Sequence, residues 1–122
     1  MAKHFEITGI PLDLSQIENL MDSGAQLKLS RKVRGKIKSC RSYLEDKMIS
    51  ESTPIYGVNT GFGSLYKESI PEADLEKLQR NLIMSHACGM GKEVPAEIVK
   101  LMLLFKVQSL AQGHSGVQLD TV

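Results

Sequence analysis

Residues 95–110 read PAEIVKLMLLFKVQSL, and this stretch constrains the fold more than any other part of the 122-residue chain. Pro95 suits the first turn of a helix, and Gly113 suits the end of one. Between them, residues 98–110 are apolar on nearly every side of the predicted helix. Such a helix must be covered all round, and a chain this short has few elements to cover it. We therefore predict a helix that belongs to a larger domain.

The N-terminal half predicts two short strands and two helices. Residues 4–8 and 26–29 are short β-prone segments, and residues 14–21 have helical spacing closed by Gly24. Ser30 is a suitable N-cap for a long helix that ends at about Ser50. Its apolar stripe consists of Val33, Ile37, Cys40, Leu44 and Met48.

The middle of the chain changes character. Residues 55–71 follow neither helical nor strand periodicity, and three glycines fall within residues 55–63, so we predict an ordered loop. Pro71 then opens a helix that ends near Gly89. The side chains expected to face inward from this helix are Leu75, Leu78, Leu82 and Ile83. The predicted fold class is mainly α with a few short strands (α+β).

Composition excludes several classes of function. The chain is 42% hydrophobic with a net charge of +1 and has no run of 18 apolar residues, so we expect no membrane span. Residues 1–6 contain no apolar signal core, and Cys40 and Cys88 lie far apart without a CxxC motif. These features favour a cytoplasmic protein without a zinc site or disulfide framework.

One asymmetry is hidden by the net charge. Seven basic residues and no acidic residue lie between Lys28 and Arg41, which leaves eight basic against 14 acidic residues elsewhere. Such a segment could bind phosphate or an acidic partner, but a solvated helix face is the more common explanation. We therefore expect no nucleic acid partner.

The glycine-rich loop carries the first candidate residues. It does not match G-x-G-x-x-G, and Gly91-Lys92 is followed by Glu93 where a P-loop needs Ser or Thr, so nucleotide binding is not expected. Tyr56 could act as an acid or base, and the Asn59 amide could bind a carboxylate or an oxyanion. A tight structural turn is the alternative explanation of these residues.

His86 is the second candidate, near the end of the helix that Pro71 opens. No His or carboxylate lies three or four residues away, so a metal site is not expected. Cys88 is only two residues away, and on a helix the two side chains would diverge, which disfavours a Cys–His nucleophile. On residue chemistry alone, a capping or core histidine is the alternative.

The chain contains three segments in a distinctive order: YGVNTGFG at residues 56–63, LQRNLIMSHACG at 78–89 and LAQGHSGV at 110–117. The first resembles the tyrosine loop of the aromatic amino acid ammonia-lyases. The second resembles the following helix in the histidine-specific members, and the third is similar to the family's L-A-x-G-x-S-G segment. The resemblance implies the N-terminal part of the ammonia-lyase/fumarase-like helical fold.

The resemblance also implies a reaction and roles for five residues. Family members eliminate ammonia from an α-amino acid, and the histidine-specific ones give trans-urocanate in histidine catabolism. Carried onto this sequence, Tyr56 would be the base that removes the β-proton. His86 would contact the imidazole of L-histidine, and the other substrate-binding candidates are Asn59, Gly63 and Ser85.

Two departures from the family pattern bear on activity. The family's methylidene-imidazolone electrophile forms from Ala-Ser-Gly, which the 122 residues do not contain. We therefore expect a truncated N-terminal fragment (residues 1–122) that is inactive alone, with the precursor downstream of Val122 and a homotetrameric parent. The chain also has Lys106, Gln108 and His114 where members usually have Arg, Asn and an aromatic residue.

Three alternative functions remain. The parent could be a related aromatic amino acid lyase or an aminomutase. The chain could also be a non-catalytic remnant that serves as an interaction module, or a nucleic-acid binder that uses the basic segment at residues 28–41.

Overall fold

The computed structural model describes residues 3–51 and 53–122. The elements in chain order are β1 (His4–Ile7), α1 (Leu14–Ser23), β2 (Gln26–Leu29), α2 (Arg31–Ser50), α3 (Glu72–His86) and α4 (Ala96–Leu110), with single 3-10 turns at Gly63–Leu65 and Leu119–Thr121. They form two compact units. The core unit contains residues up to 49 and from 94 onward, and the loop unit contains residues 50–93. The mainly helical fold with a few short strands is confirmed.

The small sheet follows from a helical crossover. Strands β1 and β2 pair in parallel with His4 opposite Gln26 and Ile7 opposite Leu29. Parallel neighbours need a long connection, which α1 supplies. Gly24 ends α1 in the left-handed region with φ 59°, a conformation that glycine adopts without strain. Among the described helices, none combines the length and apolar character needed to cross a bilayer.

Asp13 caps the start of α1. Its Oδ1 accepts hydrogen bonds from the Gln16 backbone N–H and the Ser15 hydroxyl, both at 2.8 Å. The Asp13 backbone N–H in turn donates to the Gln16 Oε1. The bonds from Gln16 and then Ser15 lower the pKa of the Asp13 carboxyl. Because the folded pKa lies below the unfolded one, this contribution to stability is present at neutral pH and is lost as pH falls through the folded pKa.

This cap gives a pH-dependent prediction. At neutral pH, we expect Asp13→Asn to melt a few degrees below the unmodified chain, because the amide keeps an acceptor but loses the charge at the helix N-terminus. As the pH falls through the lowered pKa of the Asp13 carboxyl, that side chain becomes protonated and the two melting temperatures should converge. Thermal unfolding followed by circular dichroism measures both. A Glu18→Gln control on the same helix should show no difference in melting temperature that disappears at low pH. If the melting temperatures of Asp13→Asn and the unmodified chain differed by the same amount at all pH values, the assignment would be contradicted.

The hydrophobic core lies in the core unit. Val33 and Ile37 of α2 are fully buried, and the other members of the buried cluster are Ile7, Leu20, Leu104 and Ala111. The rest of the predicted stripe on α2, at residues 40, 44 and 48, is half-buried. The helical period of that stripe therefore identified correctly which face of α2 packs inward.

Helix α4 is only partly covered in the described structure. Leu104 is buried, but several apolar side chains are between 40% and 63% exposed, namely Ile98, Val99, Met102, Leu103 and Phe105. Gln108 and Gln112 attach the end of the helix to the segment after β1, since their Nε2 groups donate to the Ile10 and Gly9 carbonyls. The sequence-based expectation that this helix needs further covering is consistent with that exposure.

The segment after α4 lies against α2 at two glycines. Gly113 has φ 72°, and a Cβ there would be 2.9 Å from the Lys36 Cβ. Gly116 has φ 67°, and its Cβ would be 2.6 Å from the Leu44 Cδ2. The Gly116 carbonyl also accepts a bond from the Arg41 guanidinium at 3.3 Å. Only glycine satisfies both the backbone conformation and the close approach at these positions.

Candidate functional site

The candidate site residues all lie in the loop unit, and the first group occupies the segment 53–71, named here the tyrosine loop. Its entry is a turn in which the Ile55 carbonyl accepts the backbone N–H groups of Val58 and Asn59 at 3.0 and 3.2 Å. The Asn59 Oδ1 in turn accepts the Ile55 N–H at 2.6 Å. Gly57 allows the turn because its φ is 77°.

The loop is closed by a short antiparallel bridge between Thr60 and Ser69. The Gly61 N–H donates to the Glu68 carbonyl at 3.0 Å, and the Ile70 N–H donates to the Asn59 carbonyl at 2.8 Å. Thr60 is fully buried. The expected ordered loop therefore has internal backbone pairing, which hydrophobic periodicity did not reveal because so few residues take part.

Gly61 permits the tightest approach within this loop. A Cβ at Gly61 would lie 2.6 Å from the Leu65 Cβ and 2.8 Å from the Leu65 carbonyl oxygen. Real Cβ atoms do not approach backbone so closely. Glycine at this position lets Leu65, at the end of the 3-10 turn, lie directly against the backbone of residue 61.

Tyr56, the predicted base, is at the surface of this loop. Its side chain is 63% exposed, and its ring packs edge-on against Phe62 with a centroid separation of 6.2 Å and an interplanar angle of 71°. No described residue forms a hydrogen bond with the phenol hydroxyl. The loop therefore orients the ring and leaves the hydroxyl available. Sequence reasoning did not predict the Phe62 contact, although the glycines between the two rings were a signal of a turn.

The loop also defines what Asn59 and Gly63 can do. The side-chain Oδ1 of Asn59 accepts the Ile55 N–H. The side-chain NH2 group is therefore the part of Asn59 that can donate to a ligand. Gly63 has φ 59° with open space around its Cα, and it begins the 3-10 turn. Its clear role in this chain is conformational, and its expected place in the wall of a pocket stays a prediction.

The second group, Ser85 and His86, forms the last turn of α3. The His86 Nδ1 lies 2.8 Å from the Leu82 carbonyl oxygen and 3.0 Å from the Ser85 Oγ. The Ser85 hydroxyl also donates to the Leu82 carbonyl at 2.8 Å. A carbonyl oxygen only accepts, so Nδ1 carries the proton in this contact. In the neutral imidazole, Nε2 is therefore the free acceptor, and the side chain is exposed.

Helix α3 differs from the prediction in two details. It ends at His86, three residues before Gly89, because Ala87 leaves helical geometry with ψ 59°. Ile83 was expected to face inward but is 69% exposed, which corrects that prediction, since the half-buried row consists of residues 75, 78 and 82 only. Leu82 is four residues from Leu78 and shares its face of the helix, whereas Ile83 is five residues from Leu78 and lies outside that face.

The structure joins Ser85 to His86 directly, whereas within residues 53–93 no hydrogen bond or ring contact joins Tyr56 to His86. Cys88 is a free, exposed thiol. The described residues contain no group of three His, Cys, Asp or Glu side chains placed to hold a metal ion. The site residues of this chain are therefore an exposed phenol and an exposed imidazole acceptor, each held by its own local bonds.

Comparison with known proteins identifies this arrangement. The aromatic amino acid lyase family model matches residues 12–122. A histidine ammonia-lyase of Deinococcus radiodurans is 46% identical over 111 residues, which are 91% of this chain and 21% of that protein. The chain thus spans about a fifth of the length of this curated relative.

Solved structures show the same fold. Histidine ammonia-lyase from Trypanosoma cruzi has a TM-score of 0.80 and 34% identity, and the match covers 97% of this chain and 23% of that one. Ergothionase from Treponema denticola, an ergothioneine-degrading enzyme, has a TM-score of 0.86 and 29% identity, covering 95% and 23%. Because the family model matches residues 12–122, nearly the whole of this chain, the chain belongs to the aromatic amino acid lyase family.

Proposed function

We propose that this chain supplies the base and the side-chain contact of a histidine ammonia-lyase, which converts L-histidine to trans-urocanate and ammonia. The observation that carries the substrate is the His86 imidazole, whose Nδ1 is bonded to the Leu82 carbonyl. The remaining Nε2 accepts the N–H of a substrate imidazole. A phenyl side chain has no such donor, so this contact favours histidine over phenylalanine.

Tyr56 performs the proton transfer in this proposal. The phenolate oxygen takes a proton from the substrate Cβ, and the electron pair of that C–H bond becomes the Cα–Cβ double bond as the Cα–N bond breaks and ammonia leaves. A tyrosine is a base only where positive charge or hydrogen bonds stabilise its phenolate. No described residue bonds to the hydroxyl. The proposal therefore takes these groups from the rest of the enzyme.

The proposal also takes the family's electrophile from the rest of the enzyme. A methylidene-imidazolone group activates the substrate for elimination, and it forms from Ala-Ser-Gly. The 122 residues contain no such tripeptide, so they do not fit this group and no step is derived through it. The proposal therefore assigns it to residues beyond this sequence, in a cytoplasmic homotetramer.

The experiment that tests the proposal assays the complete native gene product for elimination of the α-amine from four compounds: L-histidine, L-phenylalanine and L-tyrosine, which would release ammonia, and ergothioneine, which would release trimethylamine. We expect trans-urocanate from L-histidine, detected by its ultraviolet absorbance, and none from the 122-residue chain alone. Turnover of one of the other three compounds but not of histidine would overturn the substrate assignment. A β-amino acid product would instead identify an aminomutase. A gene product without Ala-Ser-Gly and without activity would favour a non-catalytic interaction module.

Replacing His86 tests the substrate contact. In the complete enzyme, we expect His86→Leu to lower kcat/KM for L-histidine by about 10- to 100-fold, because a hydrogen bond to the substrate imidazole is lost. Steady-state kinetics measures this change. Met90→Leu is the matched control, since Met90 is exposed and near the same helix end. Equal losses in both variants would contradict a specific contact at His86.

A further inference from the structure

Helix α2 presents a row of four cations, three of them exposed and one half-buried, that the proposed function does not use. Arg31, Arg34, Lys38 and Arg41 follow at spacings of three, four and three residues, which places them along one side of the helix. We name these four residues the basic row. The side of α2 that packs into the core, with Val33 and Ile37, is a different one. The three exposed members of the row, Arg31, Arg34 and Lys38, therefore lie outside the core.

Three of these cations, Arg31, Arg34 and Lys38, form no ion pair or side-chain hydrogen bond with the described residues. Arg41 does have partners, because it pairs with Glu45 at 2.6 Å and donates to the Gly116 carbonyl at 3.3 Å. The first turn of α2 contains no acidic residue. Like charges on adjacent turns repel one another, so this arrangement weakens the isolated helix and is compensated when an anionic partner lies against it.

The remaining side chains on this surface indicate the kind of partner. Every exposed residue of α2 from position 31 to 42 is Arg, Lys, Gly or Ser. The exposed Tyr43 that follows lies on another side of the helix, because it is not three or four residues away from any member of the row. Protein interfaces have an apolar core with aromatic anchors, and a membrane-bound helix inserts apolar side chains. Single strands are bound by stacking on aromatic rings. The surface offers none of these features, whereas interfaces with duplex nucleic acid are polar and strongly positive.

Gly35 supports the same conclusion. It is in the interior of α2, where glycine weakens a helix relative to alanine, and a Cβ at this position would meet nothing within 4 Å. Packing within the chain therefore does not require glycine here. It lies four residues after Arg31 and three before Lys38, so it is their neighbour on the helix surface and lets a partner approach the helix between them.

We propose that the basic row binds the phosphate backbone of double-stranded DNA without reading its sequence. The row extends over eleven residues, from 31 to 41, or about 15 Å of helix, and duplex DNA carries one phosphate per about 3.4 Å of each strand. The row therefore lies along several successive phosphates. The expectation of no nucleic acid partner rested on a solvated helix face as the more common explanation of the basic segment, and the net charge of +1 averages this row with acidic residues elsewhere. This inference is independent of the proposed lyase function.

The test is fluorescence anisotropy of a short labelled DNA duplex titrated with the 122-residue chain. With three to four phosphates neutralised, raising salt from about 50 to 200 mM should weaken binding roughly 40- to 150-fold. The triple variant Arg31→Gln, Arg34→Gln, Lys38→Gln should lower the slope of log affinity against log salt by about 2.7. Glutamine keeps the helix propensity, and circular dichroism checks that the variant is folded.

A matched control removes three cations elsewhere, by Lys3→Gln, Lys77→Gln and Lys92→Gln, and should leave the affinity within about twofold, because none of them lies on α2. Equal weakening of the two triple variants would overturn the proposal, as would the absence of binding at low salt. Tighter binding of poly-glutamate than of the duplex would reassign the surface to acidic proteins. Tighter binding of a single strand would exclude recognition of a duplex.

Discussion

Tyr56→Phe in the complete enzyme is expected to reduce kcat for L-histidine by about 10²- to 10⁴-fold, the usual contribution of a positioned general base. The substitution removes one oxygen atom and keeps the ring that packs edge-on against Phe62. The tyrosine loop should therefore keep its shape, and KM should change by less than about threefold. Steady-state rates of trans-urocanate formation measure both parameters.

Tyr66→Phe is the matched control for this experiment. Tyr66 lies ten residues further along the same loop unit, is 50% exposed and also loses only a hydroxyl. Its ring contact with the Lys67 ammonium at 5.4 Å does not need that hydroxyl. We expect nearly unchanged kinetics. If Tyr56→Phe retained more than about a tenth of the parental kcat, another group would have to remove the β-proton.

The exposure of Tyr56 explains why the 122-residue chain alone is expected to be inactive. At 63% exposure the phenol faces water, and a general base works best where the surroundings hold it against the proton that it removes. The loop contributes orientation through Phe62 and through the turn at Gly57. Groups that exclude water and stabilise the phenolate must be added by the rest of the enzyme.

Hydrophobic periodicity and capping residues were sufficient to predict most of the regular structure. Strand β2 was predicted at its observed bounds, and α2 begins directly after its predicted N-cap, Ser30, whose Oγ accepts the Val33 N–H at 3.2 Å. The end of α3 was predicted less well. Nothing in the apolar spacing of that helix indicates that Ala87 leaves helical geometry, because the departure depends on backbone dihedral angles.

The candidate site was less accessible to reasoning from residue types. From chemistry alone, a structural turn explains the YGVNTGFG segment and a cap explains His86. The resemblance to a known family supplied the catalytic roles. The orientation of the His86 ring depends on its bonds to Leu82 and Ser85, which residue types alone do not predict. The bridge between Thr60 and Ser69 likewise involves a single residue pair, which is too short for a periodic signal.

The segment at residues 110–117 resembles a family motif, yet the structure gives its glycines a packing role. Gly113 lies against the backbone of α2, where a Cβ would be 2.9 Å from the Lys36 Cβ and 3.1 Å from the Lys36 carbonyl carbon. Helix α2 cannot withdraw without moving Val33 and Ile37, which are fully buried. A change at Gly113 should therefore act on stability of the core unit and leave the groups of the tyrosine loop chemically intact.

Gly113→Ala should lower the free energy of unfolding of the 122-residue chain by about 2–5 kcal/mol. About 1–2 kcal/mol comes from placing a Cβ in the left-handed region at φ 72°, and about 1–3 kcal/mol comes from overpacking against α2. Gly24→Ala separates the two effects, because Gly24 has φ 59° and a Cβ there would meet nothing within 4 Å. Urea unfolding should show only the smaller loss for Gly24→Ala. Equal losses at both positions would mean that backbone conformation, and not contact with α2, makes glycine necessary at position 113.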